Sequence, residues 1–476
     1  MLLVDAVAAL ADHPAFRDLV VTGPTDVAVG RAEHDSRRAT TGSVFCCVPG
    51  ATFDGHEHAP TAVAAGAAAL LCERPLGLGV PELRVPSVRA AMGPLASVLA
   101  GRPSEHLAVV GVTGTNGKTT TVHLLASVLE AAGMSCGVIG TLTGARTTPE
   151  APELQAQLAD LRTEGRVAVA MEVSSHALDL RRVDGTRFRV AVFTNLSRDH
   201  LDHHGDMAAY FAAKARLFEP DLADVAVVNL DDPHGRLLRD AARLRSVGFE
   251  LADAEDLQLG PTGSTFTWRG VRVQLGLAGR FNVANALAAA TAAGELGVAP
   301  EQVAAGLAAA GPVPGRFERV DAGQPFLAVV DFAHTPDGLE QLLAAGRELA
   351  VGGRLLVVFG AGGDRDATKR PAMGEAAARL ADVVVLTSDN PRHEDPAAII
   401  SEVHHGMEDT SHVHIEPDRR AAIAWAVGRA RPGDVLLVAG KGHETTQTVG
   451  DVVTPFDDRE VLRAELVAAG HGEARS

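Results

Sequence analysis

Short apolar runs recur along the chain, at Ser43–Val48, Ala68–Cys72, Val109–Val112, Val167–Val173, Val190–Thr194, Val225–Asn229, Leu327–Phe332, Leu355–Phe359, Val383–Thr387 and Val435–Ala439. Their apolar residues are consecutive rather than alternating, which is the pattern of strands covered on both faces. Helix-compatible segments lie between them, among them Val122–Glu130, Met207–Phe218 and the Ala-rich stretches 284–296 and 302–310. This alternation predicts α/β units built on mainly parallel sheets. The opening segment MLLVDAVAALADHP carries acidic residues and no basic cluster, so it reads as a helix and not a signal peptide. Two Gly/Pro-rich breaks, Gly101-Arg-Pro-Ser104 and Gly311-Pro-Val-Pro-Gly315, read as linkers. They divide the chain into expected domains at 1–100, 101–311 and 312–476, which suits a length of 476 residues, too long for one core.

Composition narrows the class. A hydrophobic content of 46% beside a charged content of 22% is that of a soluble globular protein. No apolar stretch reaches the ~20 residues that a membrane helix requires, so no membrane insertion is expected. A net charge of −17 opposes non-specific nucleic-acid binding. Cys46, Cys47, Cys72 and Cys136 lack metal-ligand spacing and read as buried free thiols of a reducing, cytoplasmic compartment.

The densest chemical signal is GVTGTNGKTTT at 111–121, between an apolar run and a helical segment. Strand, Gly-rich turn and helix form the context of a phosphate site. Turn amides and the helix N-terminus face an anion, Lys118 adds a mobile positive charge, and the Thr119 hydroxyl can ligate Mg²⁺. The widespread pattern G-x-x-x-x-G-K-[ST] would place Gly where Val112 stands, so the match is to a shorter form, Gly114-Thr-Asn-Gly117-Lys118-Thr119. An ordinary Gly-rich turn is the alternative.

Further polar groups sit at strand ends. Glu172 closes one run in Met171-Glu-Val-Ser-Ser-His-Ala-Leu178, where a carboxylate suits Mg²⁺ and a solvated loop is the other reading. Asp199, His200, Asp202, His203 and His204 follow another run, as a metal or phosphate site or as a polar helix start. Lys214 lies in the next helix, where a surface lysine would also be ordinary. In the last block, Asp331 and His334, the turn 359–370, Ser388-Asp-Asn-Pro-Arg392 and Gly440-Lys-Gly-His-Glu444 all follow strands, which points to one cleft along a sheet's carboxyl edge. Arg365, Arg392 and Lys441 can pair with carboxylates, while Asp389 and Glu444 can hold an ammonium. Nucleotide in one block and an amino acid in another suggest acyl activation, in which phosphate passes to a carboxylate and an amine then displaces it.

These motifs resemble those of the Mur ligases, in the same order and over nearly the whole chain. The resemblance implies an ATP-dependent, ADP-forming acid–amino-acid ligase of peptidoglycan synthesis. It implies an α/β fold of three domains: an N-terminal uridine-nucleotide-binding domain, a central P-loop ATPase-like domain with a mainly parallel sheet, and a C-terminal Rossmann-like domain. In the family, Gly114, Thr115, Asn116, Gly117, Lys118 and Thr119 match the ATP loop, and Asn285, Arg316, Asp331 and His334 match further nucleotide contacts. Two Mg²⁺ sites match Thr119, Glu172, His200 and Lys214, the last expected as a carbamate; Lys118, His200 and Lys214 are thereby the catalytic candidates.

Within the family the similarity is to members that use UDP-N-acetylmuramoyl-L-alanyl-D-glutamate. His34-Asp-Ser-Arg37, with Ser36, and Phe53-Asp-Gly-His56 resemble the uridine domain, while Thr147, Thr148, Ser174 and Arg182 resemble contacts to the muramoyl dipeptide. Arg365, Asn390, Arg392, Gly440 and Glu444 match the pocket for the incoming amino acid. The Asp-Asn-Pro-Arg sequence is associated with meso-2,6-diaminopimelate, whose second carboxylate Arg392 can pair. The chain departs from the family pattern in a short segment between Gly140 and Thr147 and in Leu180, where a polar contact is expected. Competing expectations are L-lysine or another amino acid as acceptor, a specialised-metabolism paralogue, a folylpolyglutamate synthase-like ligase, and a nucleotide-binding regulator. The fourth would keep Lys118 but lose Glu172, His200, Lys214 and Asp331, all present here. A monomer is expected.

Overall fold

The computed structural model describes residues 1–50, 53–241 and 243–472. Three sheets follow one another along the chain. The first runs Val20–Thr22, Glu82–Arg84, Ala69–Cys72, Ser43–Cys46, Arg31–Glu33, parallel except for its first pair. The second is wholly parallel, in the order Arg245–Phe249, Ala223–Asn229, Phe188–Phe193, Ala108–Thr113, Ala168–Glu172, Cys136–Ile139. The third runs Glu318–Arg319, Leu327–Asp331, Val435–Ala439, Leu355–Phe359, Val383–Leu386, Val413–Ile415, with one antiparallel edge pair. The architecture is therefore three-domain α/β with mostly parallel sheets.

The continuous apolar runs become central strands because helices cover both faces. In the second sheet, Val110 and Val112 face a core containing Leu124, Leu125 and Val128 of the helix Lys118–Ala131, while Val109 faces another with Leu154 and Phe188. The helix Arg280–Glu295 is buried along almost its whole length, and its run of alanines lets it lie close to Lys118–Ala131. The helix expected over Met207–Phe218 ends at Ala215 and tightens into a 3₁₀ turn at Arg216–Phe218.

Two elements escaped the apolar-run pattern. An antiparallel sheet of Glu255–Gly260, Gly263–Trp268 and Val271–Leu275 packs one face on the second domain's core, so its burial alternates. A hairpin, Thr446–Val449 with Val452–Pro455, stands at the surface with Val449, Val452 and Val453 exposed. Among the described residues no helix is long and apolar enough to cross a membrane.

Candidate active site

The central strand Ala108–Thr113 delivers the Gly-rich loop to the start of the helix Lys118–Ala131. Gly117 has φ +85°, and a Cβ there would meet Asn285 Oδ1 at 2.3 Å, so the turn needs glycine on both counts. The neighbouring strand end clamps the loop. Asn195 accepts from Thr115 N through its carbonyl at 2.9 Å and from Asn116 N through its side chain at 2.8 Å. Thr194 Oγ1 donates to Asn116 O at 2.6 Å. Asn195 was not singled out from the sequence; its signal is an amide directly after a strand end.

Two lysines meet at this loop. Lys118 Nζ donates to Gly114 O and Thr115 O, each at 2.9 Å, and Lys214 Nζ donates to the same Gly114 O at 2.8 Å. Lys214 is buried, 4.5 Å from the centre of the Tyr210 ring. Burial, then the charge of Lys118, drive its pKa well below that of an ordinary lysine, against a weaker pull from Asp199.

On the other side, Glu172 accepts from Thr119 Oγ1 at 3.0 Å and from Thr141 N at 2.8 Å. Thr119 Oγ1 in turn accepts from Arg316 Nη2 at 3.2 Å, and the Arg316 guanidinium lies 4.3 Å from the Phe332 ring centre. Arg316 thus reaches the loop from the third domain's entry. Asp331 accepts from Phe317 N at 2.6 Å and Ala333 N at 2.8 Å; burial raises its pKa while Arg316 opposes. His334 Nδ1 must donate to Phe332 O at 2.8 Å, and burial lowers the ring's pKa.

The histidines gather around His176, whose ring centre lies 4.7 Å from that of His200, 4.2 Å from that of His203 and 5.5 Å from that of His204, while their polar partners differ. His200 adopts φ +56° beside buried Asp199, and burial pushes its ring down to about 3. For Asp199, burial acts upward but is outweighed by His334, His200 and Lys369, and the net shift is down. His203 instead pairs with Asp179 at 2.9 Å and His204 with Ser175 at 3.0 Å, and Asp202 is exposed. Among the described residues no three His, Cys, Asp or Glu side chains converge as a ready-made metal cage. A cavity of about 410 Å³ opens beside the loop, lined by Asn116, Gly117, Asn195, Phe281, Asn285 and Glu348 among others.

Thr148, Ser174 and Arg182 gather next to Glu172. Thr148 Oγ1 donates to Glu172 O at 3.0 Å, Ser174 N donates to Thr148 Oγ1 at 3.0 Å, and Arg182 donates to Thr148 O at 3.3 Å. Thr147 lies alongside, its hydroxyl 3.0 Å from that of Thr141. Glu150 pairs with Arg182 at 2.9 Å and with Arg89 of the first domain at 2.8 Å. Ser36 sits apart, in a surface 3₁₀ turn capped by Asp35.

A second polar centre forms at the third sheet's carboxyl edge. Asn390 donates to Glu444 at 2.7 Å and accepts from Thr448 N at 3.0 Å. Buried Lys441 lies 3.5 Å from Glu444, whose pKa is raised by burial and then by Asp389. Arg392, at φ +51°, donates through N to Thr448 O at 3.0 Å and through Nη1 to Gly363 O at 2.5 Å. Gly440 faces Asp389, and Arg365 is exposed on the adjoining loop.

Family models cover each domain: "Mur ligase family, catalytic domain" matches residues 32–98, "Mur ligase middle domain" 112–293, and "Mur ligase, glutamate ligase domain" 315–442. The chain is 48% identical over 481 residues to the UDP-N-acetylmuramoyl-L-alanyl-D-glutamate--2,6-diaminopimelate ligase of Streptomyces avermitilis, across 94% of this chain and 93% of that one. The chain belongs to the Mur ligase family. The Geobacillus thermodenitrificans protein of the same name is 47% identical, across 91% of this Mur ligase and 94% of its relative. A solved structure bearing that name aligns over 99% of both chains, with 34% identity and a TM-score of 0.69. MurF from Acinetobacter baumannii shares the fold, with a TM-score of 0.67 at 22% identity.

Proposed function

We propose that this Mur ligase uses ATP to join meso-2,6-diaminopimelate to UDP-N-acetylmuramoyl-L-alanyl-D-glutamate in peptidoglycan synthesis. A substrate carboxylate attacks the γ-phosphorus and releases ADP. The diaminopimelate amine then attacks the acyl carbon, giving the amide and inorganic phosphate. The names of the relatives support the substrates, and Arg392, beside Asn390 and Glu444, carries the assignment of the acceptor.

The loop Gly114, Thr115, Asn116 and Gly117, held in shape by Asn195, forms the ATP phosphate site with Lys118 and Thr119, and Asn285, Arg316, Asp331 and His334 hold the rest of the nucleotide. Lys118, folded back on the loop through Gly114 O and Thr115 O, supplies the positive charge of the phosphate site. Thr119 and Glu172 offer hard oxygen donors, few in number, that would hold Mg²⁺. His200 and Lys214 complete the metal set. A Mg²⁺ ion held there would supply neutralisation of the charge developing on the phosphates. Lys214 fits carbamylation because burial and the charge of Lys118 lower its pKa and so favour the neutral amine: attack on CO₂ with loss of a proton gives an anionic carbamate. Ser36, Thr147, Thr148, Ser174 and Arg182 bind the UDP substrate, and Arg365, Asn390, Arg392, Gly440 and Glu444 bind the amino acid.

Phosphate release should require ATP, the UDP-muramoyl dipeptide and meso-diaminopimelate together. Turnover with L-lysine or L-ornithine equal to that with diaminopimelate would overturn the acceptor assignment.

A further inference from the structure

Arg419 and Asp458 are both buried and form a two-pronged ion pair, Nε to Oδ1 at 2.8 Å and Nη2 to Oδ2 at 2.6 Å. Two buried charges cost so much desolvation that an apolar pair of similar volume is often as stable. The rest of the guanidinium is aimed at backbone. Nη2 donates to Ala439 O at 2.9 Å and Nη1 to Ser388 O at 3.2 Å. Those carbonyls immediately precede Gly440-Lys441 and Asp389-Asn390, the two segments that make the polar centre of the third domain.

The strands that lead to these carbonyls are not neighbours, because Leu355–Phe359 lies between them. After Thr387 the chain crosses the end of that middle strand at Gly360, where a Cβ would meet Thr387 O at 2.2 Å. The crossing brings Asp389 to Gly440, and Arg419 bonds to the backbone on both sides. Arg419 opens the helix Arg419–Val427 and Asp458 the helix Asp458–Ala468, each behind an aspartate N-cap. The anchor is thus carried by two helices that pack on each other, with Ile423 and Leu462 in one core.

We propose that the Arg419–Asp458 pair is the positioning device of the amino-acid pocket, setting the separation of Asp389–Arg392 from Gly440–Glu444. This rests on reading that pocket as the acceptor site. Neither residue touches substrate; both act through the two carbonyls. Small displacements of positioning groups cost large factors in turnover.

The test is the double variant Arg419→Met with Asp458→Leu, beside Arg419→Lys, which keeps a cation on Asp458 but cannot fork to both carbonyls. In either variant the KM for meso-diaminopimelate should rise about tenfold while the KM for ATP stays near wild type. Hydrogen exchange without substrate should quicken in 388–392 and 440–446 and not in the strand Leu355–Phe359. A folded variant with unchanged exchange in both segments overturns the proposal, as does an unchanged diaminopimelate KM in a wild type that uses diaminopimelate. If the double variant does not fold, Arg419→Lys decides by the same criteria. A wild type inactive with diaminopimelate would instead refute the acceptor reading, and exchange would still decide the role of the pair.

Discussion

Gly114 O receives two lysine amines, and two full positive charges cannot share one buried carbonyl cheaply. Burial lowers the pKa of both lysines, and that of Lys214, the more enclosed of the two, falls well below the usual lysine value. A neutral amine is the form that captures CO₂, and the same side chain as an ammonium could not become a metal ligand. Lys214→Ala should therefore lower kcat at least about a hundredfold, the scale of losing one preorganised charge-stabilising group. Bicarbonate or a short carboxylate should restore part of the activity by filling the space. An Ala variant with full kcat in a phosphate-release assay would remove Lys214 from the chemistry.

At the scale of elements, the strand ends matter more than the strands. Asp434, just before Val435–Ala439, accepts from Arg354 N at 2.8 Å, from Arg354 Nη2 at 2.7 Å and from Arg431 N at 2.9 Å. Burial acts to raise its pKa, but these bonds outweigh it and hold the carboxyl below the usual carboxylate range. A depressed folded-state pKa stabilises the protein at pH above the unfolded value, and that contribution fades as pH falls through the acid range. Asp434→Asn should cost about 1–3 kcal/mol at neutral pH, measured by urea denaturation, with the gap from wild type closing below about pH 4. The central strands were legible in the sequence because burial on both faces writes consecutive apolar residues. The sheet at 255–275 was not, because one-sided burial writes alternation among polar residues. Lys118 and Thr119 were legible in the Gly-rich turn ahead of a helix and Glu172 at a strand end, and the structure joins Thr119 to Glu172 directly. Asn195, Thr141, Asp434 and Arg419 were not, since each acts through a contact between distant parts of the chain that leaves no local periodicity.

At the scale of the molecule, a few polar contacts tie the domains at the site. Glu150 joins Arg89 of the first domain to Arg182 of the second. Asn116 of the phosphate loop donates to Asp337 of the third domain at 3.0 Å, and Arg198 donates to Thr368 at 2.6 Å. Glu150→Ala should free both arginines and raise the KM for the UDP substrate about tenfold, with the KM for ATP unchanged in steady-state assays. Equal changes in both constants would mean a general loosening instead. The surface hairpin adds a different consequence. It grips the backbone of Arg392 from one side, through Thr448 O and Gly450 N, while its own valines face solvent. A two-stranded ribbon is marginal on its own, so its opening free energy is a small fraction of the whole protein's. Arg392, proposed above to pair with the acceptor's far carboxylate, therefore hangs on an element that costs little to unzip. Amino-acid entry and product escape can be timed by local fraying, at no risk to the sheets that hold the nucleotide.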